Sequence, residues 1–385
     1  MGSRGRYPGR PLRIMHLAHV INRYDFIDNV VRHVSPERFT GYAATFVPET
    51  NIHDPEFAAA GIPHFVLGAR SRRDYPAAVV RLARLLRRHG IDVLHAHHFE
   101  PAAIGWAATR LHPSTRLVVG RHYSDDHHAY LTGSKRRAIL GVESVVHGGA
   151  RRIVSPSTMI RDLLVERQGV PEHKVVVIHY PFDPARYLLP SPTERARVRA
   201  DLGVDGVFAI ATVGRILPKK GHRFLLGAVQ ELAAELPDLV WVVLGDGPGR
   251  AELEAGVRAA GVADRVRFTG WRTDALAVMA GADAIVQSTL QEGFSQVMVE
   301  AQWMGTPLVM TDVSGARDLI TSGQTGLIVP PANAGALAAA IRKLYRDPEL
   351  RLELAAGGRA RVESSLHLDA VIPRYEAVYD AALAG

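Results

Sequence analysis

No cysteine occurs in the 385 residues, so disulfides, thiolate nucleophiles and cysteine-ligated zinc or iron–sulfur centres are excluded together. Long apolar runs are missing too: nothing approaches the roughly 20 consecutive apolar residues that a membrane-spanning helix needs. Met1 to Pro8 lacks the apolar core of a secretory signal and reads as part of a flexible tail over residues 1–11. These absences make the cytoplasm the default expectation. Repeats of solenoid length are absent, as is any helical His-Glu-x-x-His pattern that would fix a metal. No recognised nucleic-acid-binding motif is found either.

A hydrophobic content of 47% and a chain of this length allow two domains, each with its own core. The charge is divided unevenly: residues 1–190 hold 26 Lys and Arg against 16 Asp and Glu, leaving 20 against 23 for residues 191–385. The first half also holds 16 of the 18 histidines. A basic half could face phosphates, acidic lipid or nucleic acid, and a solvated arginine-rich surface is the plainer explanation.

Along the chain, strand and helix patterns alternate. Leu12 to Val20, Gly41 to Val47 and His64 to Leu67 read as strands. Between Pro76 and His89, Val79, Leu82, Ala83 and Leu86 share a helical face while Arg81, Arg84, Arg87 and Arg88 occupy the others. Such a helix could lie on a membrane surface, but packing on a sheet with the arginines in water is preferred. The strand at Asp92 ends in His95, His97 and His98, and the strand Arg116 to Arg121 leads to His122, His127 and His128. Histidine clusters invite a metal reading, yet no fixed ligand pattern supports it, so no metal is expected. Pro181 to Thr193 breaks regular structure as a linker.

A second alternating series opens at Val207 to Arg215, with Lys220-Gly221 starting a helix that runs to Glu235. The run Gly245-Asp246-Gly247-Pro248-Gly249-Arg250 is not spaced as a dinucleotide fingerprint and is not in the first unit of its domain. Strand Ala284 to Ser288 then precedes Glu292-Gly293-Phe294-Ser295, a helix carrying Glu300, and strand Pro307 to Thr311. Ser295 is a fitting N-cap, Gly305 and Pro307 supply the stop, and Val297, Ala301 and Met304 fall on one face. In a parallel sheet such a turn lies at the carboxyl edge, where free backbone N–H groups favour an anion or sugar hydroxyls. A helix with a glutamate at its start also arises for capping reasons alone.

The pattern Glu-Gly-Phe-x-x-Val-x-x-Glu-Ala-x-x-x-Gly-x-Pro from Glu292 to Pro307 resembles the signature of the retaining GT-B glycosyltransferases of family four, the glycosyl transferases group 1. The likeness covers most of residues 90–365. It implies an α/β fold of two Rossmann-like domains facing across a cleft: residues 1–190 on the acceptor side, 191–365 for the nucleotide sugar, and 366–385 as a helix crossing back to the first domain. By the same resemblance Arg215 and Lys220 bind the donor diphosphate and Glu300 the ribose. Glu292 with the backbone of Gly293, Phe294 and Ser295 holds the donor sugar, the segment with Phe268, Gly270, Trp271 and Arg272 flanks the base, and His122 lies near the donor sugar. His122, Glu292, Arg215 and Lys220 are then the catalytic set.

The implied reaction moves a sugar from a nucleoside diphosphate sugar to a hydroxyl or similar nucleophile, with no cofactor or metal, on a small-molecule, lipid-linked or glycan acceptor. Two alternatives stay open: a sugar-nucleotide epimerase of the same fold, and a catalytically silent binding partner. The sequence departs from the family at the first loop, where Ile21-Asn22-Arg23-Tyr24-Asp25 replaces Gly-Gly, and at His179 to Phe182. Asn22 and Arg23 are candidates for the acceptor side, and Arg23 reads equally as an ordinary surface arginine.

Overall fold

The computed structural model describes residues 9–21, 26–47, 54–124 and 132–384. The chain divides into two compact units, Met1–Asp183 with Leu366–Gly385, and Pro184–Ser365. The final helix, Leu368–Ala384, therefore belongs to the first unit.

The first unit is built on a parallel sheet of β1 (Leu12–Ala18), β2 (Phe39–Thr45), β3 (His64–Val66), β4 (Val93–His97), β5 (Arg116–Gly120), β6 (Arg152–Ser155) and β7 (Val175–Val177), in the order β3-β2-β1-β4-β5-β6-β7. Helices cover both faces, which is why the central strands are apolar almost throughout. Alternation splits their side chains between two cores. Met15, Leu17, Leu94, Ala96 and Val119 face one side, with Leu82 and Leu86 from the helix Tyr75–Arg88. Ile14, Val93, Val118 and Val154 face the other, against Val371, Tyr375 and Tyr379 of the final helix. The arginine-bearing helix thus buries its apolar stripe in the core, and Arg81, Arg84, Arg87 and Arg88 are exposed.

The second unit holds β8 (Phe208–Val213), β9 (Leu239–Leu244), β10 (Val266–Gly270), β11 (Ala284–Gln287), β12 (Leu308–Thr311) and β13 (Leu327–Val329), again parallel, in the order β10-β9-β8-β11-β12-β13. Trp241 is fully buried in β9, and its indole N–H donates to Thr212 Oγ1 of β8 at 2.9 Å. Such a bond lets a large ring sit in the core without stranding its polar atom.

In each sheet the strand order reverses direction once, between β1 and β4 and between β8 and β11. Ligands of open α/β sheets bind outside the carboxyl ends of the strands at these points. Among the described residues no helix is long and apolar enough to cross a membrane.

Candidate functional site

At the second sheet's switch point, the loops after β8 and β11 are tied to one another by backbone. Leu290 N donates to Lys219 O at 2.7 Å, Ser288 Oγ to Lys220 O at 3.1 Å and Thr289 Oγ1 to Lys219 O at 3.3 Å. The approach is so close that a Cβ on Gly221 would lie 2.1 Å from Ser288 O, and Gly221 adopts φ 67°. Only glycine fits there. This corrects the expected helix start: Pro218–Lys220 form a 3-10 turn, left-handed Gly221 ends it, and the helix runs His222–Leu232.

The glycine run after β9 braces the same loop from the other side. Gly214 N donates to Leu244 O at 3.0 Å, Ile216 N to Asp246 O at 2.9 Å, and Gly249 N to Ile216 O at 3.0 Å. A Cβ on Gly245 would lie 2.1 Å from Gly214 O. Sequence reasoning set this run aside for its spacing; its work is to let two loops touch.

The helix after β11 spans Gln296–Met304, with Ser295 Oγ accepting from Met298 N at 3.3 Å and Gly305 closing it at φ 72°. Its buried side chains are Met298, Val299, Ala301, Gln302 and Met304. Val297, expected on that face, is only partly buried, because the helix is packed on more than one side and its apolar positions do not form a single stripe. Phe294 is buried beneath the turn, and Ser314 Oγ donates to Gly293 O at 2.9 Å. Gly293, Phe294 and Ser295 are thereby held at the helix start, where first-turn N–H groups lack intrahelical acceptors.

The charged groups differ in how they are satisfied. Lys220 Nζ pairs with Glu292 Oε2 at 2.5 Å, across 72 positions of sequence. The residues expected on diphosphate and on sugar thus hold each other. Arg215 is exposed and makes no ion pair or hydrogen bond among the described residues. Glu300 is half-buried with no partner among the described residues, and desolvation pushes its carboxyl up to about 7. At the carboxyl end of β10, Phe268 is half-buried, Gly270 takes φ 68° and Trp271 is 78% exposed. Arg272 forms a bidentate pair with Asp274, both bonds 2.7 Å, so this guanidinium is already engaged.

In the first unit, His122 follows β5 and is buried with both ring nitrogens bonded: Nε2 to His97 Nδ1 at 3.0 Å and Nδ1 to the Tyr180 hydroxyl at 3.1 Å. The chain continues from His97 Nε2 to His16 Nδ1 at 3.0 Å, from His16 Nε2 to the Tyr379 hydroxyl at 3.2 Å, and from there to His95 Nδ1 at 3.1 Å. Burial, foremost, pushes these imidazoles far down, His16 to about 3, and neighbouring histidines add to the shift in His95, His97 and His122. All are neutral at pH 7, so each ring has one N–H and one acceptor. Because His16, His97 and His122 use both nitrogens, their bonds must all run in one direction. Among the described residues His95 Nε2 is buried without a partner. A bare acceptor there costs less than an orphaned N–H, which puts the proton on His95 Nδ1 and, by succession, on Nδ1 of His16, His97 and His122.

His16 was missed in the sequence. The signal was available: His95 and His97 share a face two residues apart, and β1 pairs with β4 so that His16 stands opposite His95. The nitrogens of His16, His95 and His97 lie within 4.8 Å of one another, a spacing a metal could use. His95 Nε2 keeps a bare lone pair, but both nitrogens of His16 and of His97 are already engaged, so an ion bound by all three would have to break this chain of bonds. Of the other histidines weighed for metal, His127 and His128 lie outside the described residues, as do Asn22 and Arg23. His98 is exposed at the carboxyl end of β4, with its ring centroid 5.1 Å from that of His122. Its φ of 68° and ψ of 177° are strained for any side-chain-bearing residue, a feature that clusters at functional sites.

Comparison with known proteins agrees with this architecture. The family model described as Glycosyltransferase Family 4 matches residues 40–186, and the one described as Glycosyl transferases group 1 matches residues 208–347. The D-inositol 3-phosphate glycosyltransferase of Pseudarthrobacter chlorophenolicus is 31% identical over 306 residues, 74% of this chain and 71% of that protein. The alpha-D-kanosaminyltransferase of Streptomyces kanamyceticus is 33% identical over 187 residues, 48% of each chain. The chain spans about half the length of the first curated relatives it matches. Among solved structures, Anabaena HepE in complex with UDP-glucose gives a TM-score of 0.80 at 21% identity, covering 95% of this chain and 98% of that one. Sucrose-phosphate synthase from Thermosynechococcus elongatus gives 0.80 at 21% identity, covering 97% and 99%. At these identities the likeness carries the fold, which is GT-B.

Proposed function

We propose, from the premise that this chain belongs to the glycosyltransferases of family four, group 1, that it transfers a sugar from a nucleoside diphosphate sugar to an acceptor hydroxyl or similar nucleophile with retention of configuration. The observation that carries the reading is Glu300, a carboxylate desolvated to about 7 and left without a partner on the helix at the sheet's switch point. A ribose diol is its natural complement, because a carboxylate accepts two hydrogen bonds at once.

The remaining groups support the same reading. Cleaving a glycosyl–phosphate bond leaves a diphosphate whose growing charge must meet fixed cations or donors. Arg215 is uncommitted, Lys220 can exchange Glu292 for phosphate oxygens, and the helix start at Ser295 adds N–H groups. Releasing Glu292 from Lys220 frees it for sugar hydroxyls. The exposed Trp271 offers an aromatic face to a base. This set needs no divalent ion. His122 and Glu292 are the residues whose alanine variants are expected to fold yet lose turnover by at least roughly a hundredfold.

The test is a thermal-shift screen over nucleoside diphosphates and their sugars, with UDP and UDP-glucose first because HepE was solved with them. A ligand at about 100 times its dissociation constant adds about 2.7 kcal/mol. Stabilisation by one nucleotide series, followed by acceptor-dependent release of that nucleotide, supports a transferase; a donor altered without any acceptor points to an epimerase, and no stabilisation by any of them overturns the reading.

A further inference from the structure

At the amino end of the first sheet, opposite the loops bearing His98 and His122, the starts of β5 and β6 and the turn before β7 border a cavity of about 480 Å³. Arg110, Arg116, Arg151, Arg152, His173 and Lys174 line it, and the lining contains no carboxylate. The partners of Arg110, Arg116, Arg152 and Lys174 are neutral. Arg110 lies over the Trp106 ring, 5.4 Å from its centroid. Arg116 donates to Pro113 O at 3.3 Å, Arg152 to Arg151 O at 2.9 Å, and Lys174 to Gly148 O at 2.8 Å. Arg110, Arg116, Arg152 and Lys174 form no ion pair among the described residues.

Helix ends give one ordinary reason for cations here, since the helices Phe99–Leu111 and Gly133–Gly149 both finish at this edge. Each helix carboxyl end is equivalent to about half a negative charge, so two of them offset about one positive charge. Most of the positive charge is left over. Lys174 registers the surplus: its ammonium is pulled below its ordinary value by burial first and then by Arg151 and Arg152. Beside the cavity wall, the Trp106 indole N–H is buried without an acceptor among the described residues, against the backbone of Gly149.

We propose that this cavity is a binding site for a phosphate group, carried by a free or esterified small phosphate or by an anionic lipid headgroup. An anion there would relieve the mutual repulsion of the cations, and guanidinium forks suit phosphate oxygens geometrically. The site is separate from the sheet edge proposed for the donor, so it needs its own probe.

The lysines supply that probe, because there are only five: Lys135, Lys174, Lys219, Lys220 and Lys343. With ¹³C-dimethylated lysines, NMR follows Lys174 at the cavity, Lys220 at the donor loop and Lys343 as a control for folding. Inorganic phosphate, titrated at constant ionic strength with chloride as the comparison, should move the Lys174 signal saturably and raise its pKa. Arg116→Ala with Arg152→Ala should weaken that response by at least about tenfold while Lys343 stays unchanged. Arg116→Lys, which keeps the charge, should retain part of it. Broadening of Lys174 by phosphatidylglycerol vesicles but not by phosphatidylcholine vesicles, without a response to inorganic phosphate, would assign the phosphate to a lipid. The proposal is overturned if Lys174 responds to neither probe, responds equally to chloride, or responds undiminished in the double variant.

Discussion

The two switch points of this molecule are built on opposite principles. Around β8 and β11 the backbone is tightly bonded while, beside the Lys220–Glu292 pair, two charges are left unsatisfied: among the described residues Arg215 has no partner and Glu300 is desolvated alone. Around β1 and β4 the titratable rings are neutral and bond in succession from Tyr180 to His95, leaving His95 Nε2 bare at the end of the chain. A buried network with its bonds filled rigidifies a core, whereas unsatisfied charge on a rigid frame is prepared for a ligand. The second switch point is the one proposed here for the donor, while around the first the bonded rings hold His122 in place beside the exposed rim at His98.

The sharpest way to break this contrast is to remove the cations. Arg215→Ala and Lys220→Ala should each lower transfer by about 10²–10³-fold, with little change in melting temperature, and EDTA should leave transfer intact. Arg215→Lys should recover only part, since an ammonium lacks the planar fork. Equal activity in all three variants would make these residues ordinary surface charges.

Next in size is the frame. Gly221→Ala combines a left-handed backbone with a Cβ 2.1 Å from Ser288 O and should cost on the order of 3 kcal/mol in denaturant unfolding. Substitution at Gly141, where nothing lies within 4 Å of the added Cβ, should be nearly silent.

The histidine chain should respond through stability and tautomer. Tyr379→Phe leaves His16 Nε2 and His95 Nδ1 without their shared hydroxyl and should cost about 1–3 kcal/mol. In ¹⁵N spectra the wild type should show His122 protonated at Nδ1, with that uniform state lost in the variant. The smallest effect is expected at His98→Gly, which relieves a strained φ and should stabilise by about 1 kcal/mol while lowering turnover.

Much of this was legible in the residues. The alternation of strands and helices, Ser295 as cap, Gly305 as stop and the likeness around Glu292 all rest on local pattern. What escaped was set by pairing across the fold. His16 joins His95 only through the β1–β4 register, Lys220 meets Glu292 over 72 residues, and the run from Gly245 to Gly249 makes sense only against Gly214 and Ile216. The arginine-rich helix Tyr75–Arg88 could be read two ways until its apolar face was found in the core. Glu300 was legible as a position but not as a desolvated group, because burial depends on neighbours from several elements.

That desolvation supplies the most direct test. Below about pH 7 the Glu300 carboxyl is protonated: it loses its charge, and one of the two oxygens that would accept from a ribose diol becomes a donor. Raising its pKa in the fold also means that ionisation opposes folding: stability falls as pH rises from the ordinary carboxylate range through about 7, and Glu300→Gln escapes the loss. The measurement is calorimetric affinity for the tightest-binding nucleoside diphosphate sugar from pH 5.5 to 8.5, in wild type and Glu300→Gln. The predicted result is affinity that climbs through about pH 7 and levels off in wild type, and that is weak and flat in the variant. A flat wild-type profile, or a variant that binds as tightly as wild type at pH 8, would contradict the assignment of the donor to this switch point.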